Sequence, residues 1–429
     1  MTSRDRTGLT KYTQKQAATA AARHEMLFAG RIGGARAVFA FCDLSGLDLS
    51  ASDLADADFT GAVLEETNLT GTRLESAIFT GTDLRRANLS HATLRRADLR
   101  GVCLEGANLI GADLYEADLR EGSLAEKGRC GNLRVLPYNC GPAELACALF
   151  NSANLERAKL TGARAMQVDF SDAIMRGCVL SGADFTQAKL SGANLEGANL
   201  ADCILCGANL DGAILLGTNL AGAILDGASL SGALTETLVN NGRSGSSIEA
   251  LLEAHSRWVE TTGREGQPAD LSGMDLRVLK SLAHRTLTSL IAPGAMLYGL
   301  DLRGVSLQGS DFQGADLRHT CLSGADLRGV NFAGAKLDNA DMRDAHFGPL
   351  FISGSRLLPA RLEGAHAHRG DFRGACLRRA RLSDADLAYA NLSDADLRET
   401  ELGGAILTGA RLPPMFVDNA APLAAVASG

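Results

Sequence analysis

The side chains that could bind a metal ion or change charge near neutral pH stand twenty residues apart in this sequence. Asp326, His346, His366 and Asp386 share this spacing, and His368 lies close by. If coils of the chain stacked every twenty residues, the two imidazoles of His346 and His366 would be about 4.8 Å apart. They could then share a metal ion or respond to pH. The simpler interpretation is coincidence on a turn face.

Other residues with chemical potential do not form a recognisable motif. The sequence contains no Gly-rich phosphate loop, zinc-ligand spacing or nucleophile elbow. Cys203 and Cys206 have C-x-x-C spacing, but one is expected to point inward and the other outward, which makes a poor metal clamp. Acidic residues form a regular lattice with Arg between them, as on a solvated surface. We therefore predict no enzyme activity, no metal site and no cofactor.

A five-residue period positions all of these side chains. A large apolar residue occupies every fifth position from Phe39 to Leu124, usually with a small residue two positions before it and Asp or Asn between. Five is neither the helical period of 3.6 nor the strand period of 2, so it indicates a solenoid whose units pack on their neighbours. A second period of twenty predicts four pentapeptides per coil and stacked Phe columns: Phe39, Phe59 and Phe79; Phe150 and Phe170; Phe312, Phe332 and Phe372.

Segments such as Ala97-Asp98-Leu99 and Ala107-Asn108-Leu109 give the consensus A-(D/N)-L-x-x, which covers most of the chain. This pattern resembles the pentapeptide-repeat family. The resemblance implies an all-β solenoid, the right-handed quadrilateral β-helix.

Breaks in the register predict five regions. They are residues 1–36, an N-terminal segment with a capping helix; 37–240, the first β-helix; 241–269, a linker with a helix over 246–260; 270–412, the second β-helix; and 413–429, a tail. In the linker helix, Leu251, Leu252, His255 and Trp258 follow helical spacing. The motif around His255 echoes that around His24, and each precedes a fresh run of repeats. We therefore expect two tandem units, each preceded by a capping α-helix.

Three segments interrupt the repeats. Residues 125–144 shift the register by one position, which predicts a loop insertion of one, six, eleven or sixteen residues. Residues 277–292 are either coil after a one-residue slip or a second helix. Residues 348–359 are expected to stay in the coil with a local bulge, because Ile352 and Leu357 keep the five-residue phase.

An apolar strip is the main candidate interaction surface. Ile204, Ile214 and Ile224 stand where Asp or Asn normally faces out, and no Lys or Arg occurs between Lys189 and Arg243. Exposed apolar strips indicate a partner, although helix 246–260 of the same chain could also cover it. Loops that leave a regular scaffold often carry function. The remaining candidate residues are Leu216 beside the strip and Arg129, Arg134 and Tyr138 in the insertion.

Composition sets the expected compartment. The N-terminus is polar and no run of 18 apolar residues occurs, so we expect neither a signal peptide nor a membrane span. Cys42, Cys178 and Cys203 occupy inward small-residue positions, where a free thiol packs as a small hydrophobe. This pattern favours the reducing cytoplasm.

The predicted function is a non-catalytic, rod-like scaffold that binds an unidentified protein, as a monomer or homodimer. The family resemblance supplies an alternative, because some members mimic duplex DNA, bind type II topoisomerases such as DNA gyrase, and protect them from quinolones. Duplex DNA carries about one charge per 1.7 Å, whereas the net charge here is only −8. Direct nucleic-acid binding through the Arg cluster at 85–100 is not expected, because the chain is acidic and lacks interleaved aromatic residues.

Overall fold

A computed structural model describes residues 9–123, 125–127, 133–135, 141–235, 245–279, 281–353 and 356–414, with only the backbone described for 125–127, 133–135 and 245–246. The chain divides into two compact units, Met1–Glu236 and Thr237–Gly429. Both units are repeat β-helices, described in turn below.

The β-helix is built from single-residue parallel bridges and not from long strands. Val38 pairs with Asp58, Asp58 with Ile78, and Ile78 with Asp98, each twenty residues further along the chain. Next to each bridge, the central residue donates its N–H to the following coil, as Phe59 does to the Ile78 carbonyl at 2.8 Å. Four such positions per coil give four faces, as the two sequence periods predict.

The turns explain the abundance of glycine. The second residue after each central Leu or Phe takes a left-handed conformation, for example Gly71 with φ 63° and Arg86 with φ 55°. This conformation carries no steric cost for glycine and a modest one for other residues. The chain's 48 glycines are therefore largely a consequence of its turns.

The core of the first unit contains the predicted aromatic columns. The ring centroids of Phe39 and Phe59 are 5.2 Å apart and those of Phe59 and Phe79 are 4.7 Å apart. Phe150 and Phe170 stack at 4.8 Å. All five rings are fully buried, and their separations follow the spacing between neighbouring strands.

One helix precedes the first β-helix. Strand β1 (Thr10–Lys11) pairs with β2 (Cys42–Asp43), and helix α1 (Gln14–Phe28) lies between them in sequence. Thr13 and Gln16 form a capping box at its start. Ala17 and Ala21 of α1 are buried in the same apolar cluster as the first coils.

The first insertion is longer than predicted. Cys103 pairs with Glu144, which is 41 residues away instead of the usual twenty. Part of the inserted segment forms an antiparallel pair, β3 (Ala125–Lys127) with β4 (Leu133–Val135). The predicted sizes of one, six, eleven or sixteen residues are wrong, because twenty-one extra residues change the five-residue phase as one does.

Helix α2 (Gly245–Glu260) precedes the second β-helix. Ile248 and Leu252 are buried in one apolar cluster with the first coils of that unit, such as Leu271. Of the other predicted helix residues, His255 is buried and Leu251 and Trp258 are half-buried. The pairing then slips by one residue: Asp270 pairs with Ile291, and Ser281 with Asp301. A 3₁₀ turn at Leu276–Val278 lies at this slip.

A hairpin interrupts the second β-helix. Asn331 pairs with Arg361, thirty residues away, and the extra residues include β5 (Leu350–Ser353) paired with β6 (Arg356–Leu358). The prediction that 348–359 stays in the coil is wrong. Ten extra residues are two whole repeats, so Ile352 and Leu357 keep the phase although they have left the coil.

The hairpin also changes which side chains stack. Phe312 and Phe332 pack at 5.8 Å as predicted, but the placement of Phe372 in their column is wrong. Phe332 donates its N–H to Arg361, so Leu362 follows it in the column, whereas Phe372 follows Met342. Phe372 remains fully buried and packs against Phe347 at 6.2 Å.

Candidate functional site

The histidine column expected from the twenty-residue spacing does not form. His346 lies between Asp326 and Cys376, while His366 lies between Lys336 and Asp386. The hairpin moves His366 two pentapeptides away from His346, to another face of the coil. Across the described ranges, no group of three or more His, Cys, Asp or Glu side chains is placed to hold a metal ion.

Two residues of the predicted apolar strip do lie together on the surface. Ile204 and Ile224 form a bridge pair on adjacent coils. Their side chains occupy the outward position and are 36% and 47% exposed. Asp184 precedes them on the same face and pairs with Ile204.

The third residue of the predicted strip is not exposed. Ile214 is only 6% exposed and lies in a column between Asn194 and Leu234, both of which are also buried. It stands two pentapeptides from Ile204, and with four faces per coil that places it on the opposite face. The prediction that Ile214 shares the exposed strip is therefore wrong.

The remaining predicted surface residues do not join the strip. Leu216 is half-buried in the turn after the Ile214 face. Arg129 and Tyr138 lie outside the described residues. Arg134 lies in β4, where only the backbone is described. A role for Arg129, Arg134 and Tyr138 in binding a partner therefore remains a prediction.

Carboxylates flank the two exposed isoleucines. Asp202 lies in the turn before Ile204, and Asp226 lies in the turn after Ile224. Both are exposed, and neither has a Lys or Arg within ion-pair distance among the described residues. We call the set Asp184, Asp202, Ile204, Ile224 and Asp226 the acidic strip.

Many other aspartates of the repeat are neutralised by a neighbouring arginine. In ten repeats an Asp pairs with the Arg two residues further on, as Asp98 does with Arg100 at 2.7 Å. The Asp side chain also accepts the backbone N–H of that Arg. Such bidentate bonds strongly favour the ionised carboxylate, and Arg398 lowers the pKa of Asp396 to about 2. Among the described residues, the carboxylates of the acidic strip have no such arginine partner.

The Arg cluster at 85–100 is neutralised as well. Each of its guanidinium groups has a carboxylate partner: Asp83 for Arg85, Glu65 and Glu66 for Arg86, Asp113 for Arg95, Glu75 for Arg96 and Asp98 for Arg100. The cluster therefore does not present a surplus of free positive charge, which is what phosphate backbones attract.

One exposed apolar element, the β5–β6 hairpin, was not predicted from the sequence. Phe351, Ile352, Leu357 and Leu358 of this hairpin are all exposed. The available signal was Pro349 and Pro359 at its two ends, because proline cannot donate to a backbone ladder.

None of the helices in the described ranges is long and apolar enough to span a bilayer.

Comparison with known proteins identifies the repeat. The family model described as Pentapeptide repeats matches residues 35–71, 67–106, 104–124, 143–182, 166–202, 203–233, 310–348, 353–384 and 375–412. No curated protein matches the chain. Several solved structures do.

Three solved structures illustrate the likeness. The pentapeptide repeat protein Rfr23 from the cyanobacterium Cyanothece 51142 is 31% identical over 31% of this chain and 86% of its own, with a TM-score of 0.18. HetL, a pentapeptide repeat protein involved in heterocyst differentiation regulation from the cyanobacterium Nostoc sp. strain PCC 7120, is 24% identical over 91% of this chain and 95% of its own, with a TM-score of 0.13.

QnrB1, a plasmid-mediated fluoroquinolone resistance protein, is 16% identical over 51% of this chain and 84% of its own, with a TM-score of 0.20. The family model itself covers well over half of the residues. The chain belongs to the pentapeptide repeat family.

Proposed function

We propose that this protein is a non-catalytic scaffold that binds a partner protein through the acidic strip. The observation that carries the proposal is the exposed Ile204–Ile224 pair. It is flanked by the carboxylates of Asp202 and Asp226, which have no Lys or Arg partner in the part of the chain that the structure describes. Protein interfaces combine an apolar centre with a polar rim. The expected partner surface is therefore apolar at its centre and basic at its rim.

The β-helix suits this role because it is rigid. Each outward side chain is held by a bridge on both sides, so Ile204 sits between Asp184 and Ile224. The inward neighbours Cys203 and Leu205 are fully buried. A side chain held in this way loses little freedom on binding, which lowers the entropic cost of association.

Within this proposal, α1 and α2 are the capping helices of the two β-helices, and the five predicted regions describe the chain's organisation. The terminal coil of a solenoid exposes apolar core unless a cap covers it. Ala17 and Ala21 of α1, and Ile248 and Leu252 of α2, are buried in the apolar clusters of the first coils. This packing supports a capping role.

A cytoplasmic location remains part of the proposal. Cys178 and Cys203 are free thiols in the core, and burial raises the pKa of Cys178 to about 12. A thiol with so high a pKa is unreactive. These cysteines therefore have a packing role that needs no oxidising compartment.

Modulation of a type II topoisomerase is the alternative function. A DNA mimic needs a continuous surplus of negative charge. The ten Asp–Arg pairs remove that surplus from much of the described surface, whereas the acidic strip keeps it over a limited area. We therefore favour the scaffold function over modulation of a type II topoisomerase.

Affinity capture from the native cytoplasm tests the scaffold. The bait is the full chain, compared with an Ile204→Arg/Ile224→Arg variant and with a Val179→Arg control. Val179 is also an outward, exposed apolar residue of the first unit, but it lies on another face. We expect the double variant to lose a partner that the wild type and the control both retain.

Identical captured proteins for all three baits would contradict binding through the strip. DNA gyrase supercoiling, measured across a titration of the purified protein with and without a quinolone, tests the alternative. Inhibition or drug protection that the double variant loses would favour the topoisomerase.

A further inference from the structure

The β5–β6 hairpin packs against two glycines, Gly309 and Gly329, which we call the glycine seat. Its Leu350 and Leu358 side chains lie over Gly329, and Leu350 also reaches Gly309 on the neighbouring coil. A Cβ atom at Gly329 would meet the Leu350 Cβ at 2.8 Å and the Leu358 Cδ2 at 3.1 Å. The hairpin can lie this close to the coil because glycine has no side chain.

Cross-strand pairing gives the hairpin a second apolar face. Leu350 pairs with Leu358, and Phe351 pairs with Leu357. Paired residues share a face and successive residues alternate, so Phe351 and Leu357 point away from the seat. They are 63% and 39% exposed. Such an apolar face on a regular scaffold marks an interaction surface.

The hairpin is also basic. Arg356 follows the tip, is exposed, and has no carboxylate within ion-pair distance among the residues that the structure describes. The hairpin itself contains no acidic residue. We call Phe351 and Leu357, together with the exposed Arg356 beside them, the hairpin patch.

We propose that the hairpin patch of one molecule binds the acidic strip of a second copy. Phe351 and Leu357 match Ile204 and Ile224 in character, and Arg356 is opposite in charge to Asp202 and Asp226. Neither charged group has an ion-pair partner among the described residues, so pairing across the interface would supply one to each. The inference rests on the proposed function, since it names an occupant of the same strip.

A bilayer fits the patch less well than a protein surface does. A hairpin that inserts into lipid buries its tip, and here Ser353 and Arg356 flank the tip while the apolar residues lie along the strands. A second copy accounts for the side-facing apolar pair as well as for the charge.

The contact is heterologous, because it joins two different patches. Heterologous contacts build rings or open chains instead of closing at a dimer. The apolar part of the hairpin patch has two residues, and so small a contact falls below the roughly 1,200–2,000 Å² that stable interfaces bury. We therefore expect weak, reversible and salt-sensitive association.

Mixing two variants of the full chain tests the proposal. Phe351→Glu removes the hairpin patch and leaves the strip intact, while Ile224→Arg removes the strip and leaves the hairpin intact. We expect each variant alone to sediment as a monomer at concentrations where the wild type associates. An equimolar mixture should form one species of two chains, because each variant supplies the surface that the other lacks. A contact within a single chain would not be restored by mixing.

The glycine seat provides a second test with a matched control. Gly329→Ala pushes against Leu350 and Leu358, whereas Gly324→Ala meets nothing within 4 Å. The two glycines have nearly the same φ, 68° and 65°, so the backbone cost of alanine is shared. We expect Gly329→Ala to weaken association at least threefold relative to Gly324→Ala, with thermal unfolding measured to confirm that both fold.

The outcomes separate this inference from the proposed function. A mixture that stays monomeric, or a wild type monomeric at 1 mM, overturns self-association. If the strip variant still loses a captured partner, the scaffold function stands without it. A third outcome is that the wild type associates, mixing the two variants restores association, and the captured proteins do not depend on the strip. The second copy is then the molecule that binds the acidic strip, and the proposal of a separate partner protein is wrong.

Discussion

The Nδ1 atom of His255 accepts a hydrogen bond from the backbone N–H of Ala269 at 3.1 Å, where the second β-helix begins. Its Nε2 atom lies 3.1 Å from the Thr288 carbonyl. His24 repeats the arrangement in the first unit, with the Ala37 N–H at 3.0 Å and the Ala55 carbonyl at 2.7 Å. An imidazole that accepts at Nδ1 and donates at Nε2 is neutral, so each helix joins its coil through an uncharged histidine.

Acid should weaken the second unit at His255. Burial lowers the pKa of His255 below its ordinary 6.5. Below that pH the unfolded chain takes up a proton that the folded imidazole does not, so the unfolding free energy falls as pH falls from about 6.5 towards the folded pKa. Urea unfolding of the wild type and of His255→Gln between pH 7.5 and 5 measures this difference.

The variant should be less stable at pH 7.5 by about 1–2 kcal/mol, because two hydrogen bonds of a buried group are lost. Its stability should change less with pH than that of the wild type. His284→Gln, at an exposed position, should keep the wild-type profile. A His255→Gln profile parallel to that of the wild type would show that His255 does not titrate in this range.

Truncating a stacked ring should destabilise the first unit strongly. Phe59 lies between Phe39 and Phe79 and is fully buried, so Phe59→Ala leaves a cavity that the regular coil cannot close. We expect a loss of about 3–5 kcal/mol in denaturant unfolding. Phe351→Ala, at the exposed hairpin position, should change stability by less than about 0.5 kcal/mol. Equal losses would contradict the assigned burial.

Removing the arginine from an Asp–Arg pair should lower the unfolding free energy by an amount that depends on how buried the pair is. The Asp83 side chain is only 1% exposed, and Arg85→Ala leaves this carboxylate without its bidentate partner. We expect a loss of about 3–5 kcal/mol. Arg398→Ala removes a side chain that is 69% exposed and should cost at most about 1 kcal/mol. Thermal and urea unfolding of both variants measure these losses, and a loss for Arg398→Ala as large as that for Arg85→Ala would contradict the prediction.

A glycine after α2 should tolerate no side chain. Gly266 has φ 75°, and a Cβ atom there would collide with the carbonyl oxygen of Ala254 and lie 2.7 Å from the backbone nitrogen of Trp258. Gly266→Ala should lower the stability of the second unit by more than the roughly 1 kcal/mol expected for left-handed backbone alone. Gly273 has φ 64°, and a Cβ atom there would meet nothing within 4 Å. The Gly273→Ala variant therefore measures that backbone cost by itself. Matching losses would remove the close approach as a cause.

The residues that point inward were largely predictable from the sequence. A period of five with small and large apolar residues at constant positions identifies the inward side chains, and Phe39, Phe59 and Phe79 stack as predicted. The helices at Gln14–Phe28 and Gly245–Glu260 followed from apolar spacing and the glycines after them. These features depend on local pattern, and the local pattern repeats many times.

Which coil lies next to which was decided by the tertiary structure. The five-residue phase is unchanged by ten extra residues and shifts equally for one or twenty-one, so it cannot measure an insertion. For that reason His346 neighbours Cys376 instead of His366, and Phe372 leaves the Phe332 column. Ile214 was misplaced for a related reason, since the pattern marks a residue as outward without saying what covers its face. Stacking depends on β-bridges between residues twenty to forty-one positions apart, and only the folded chain specifies those.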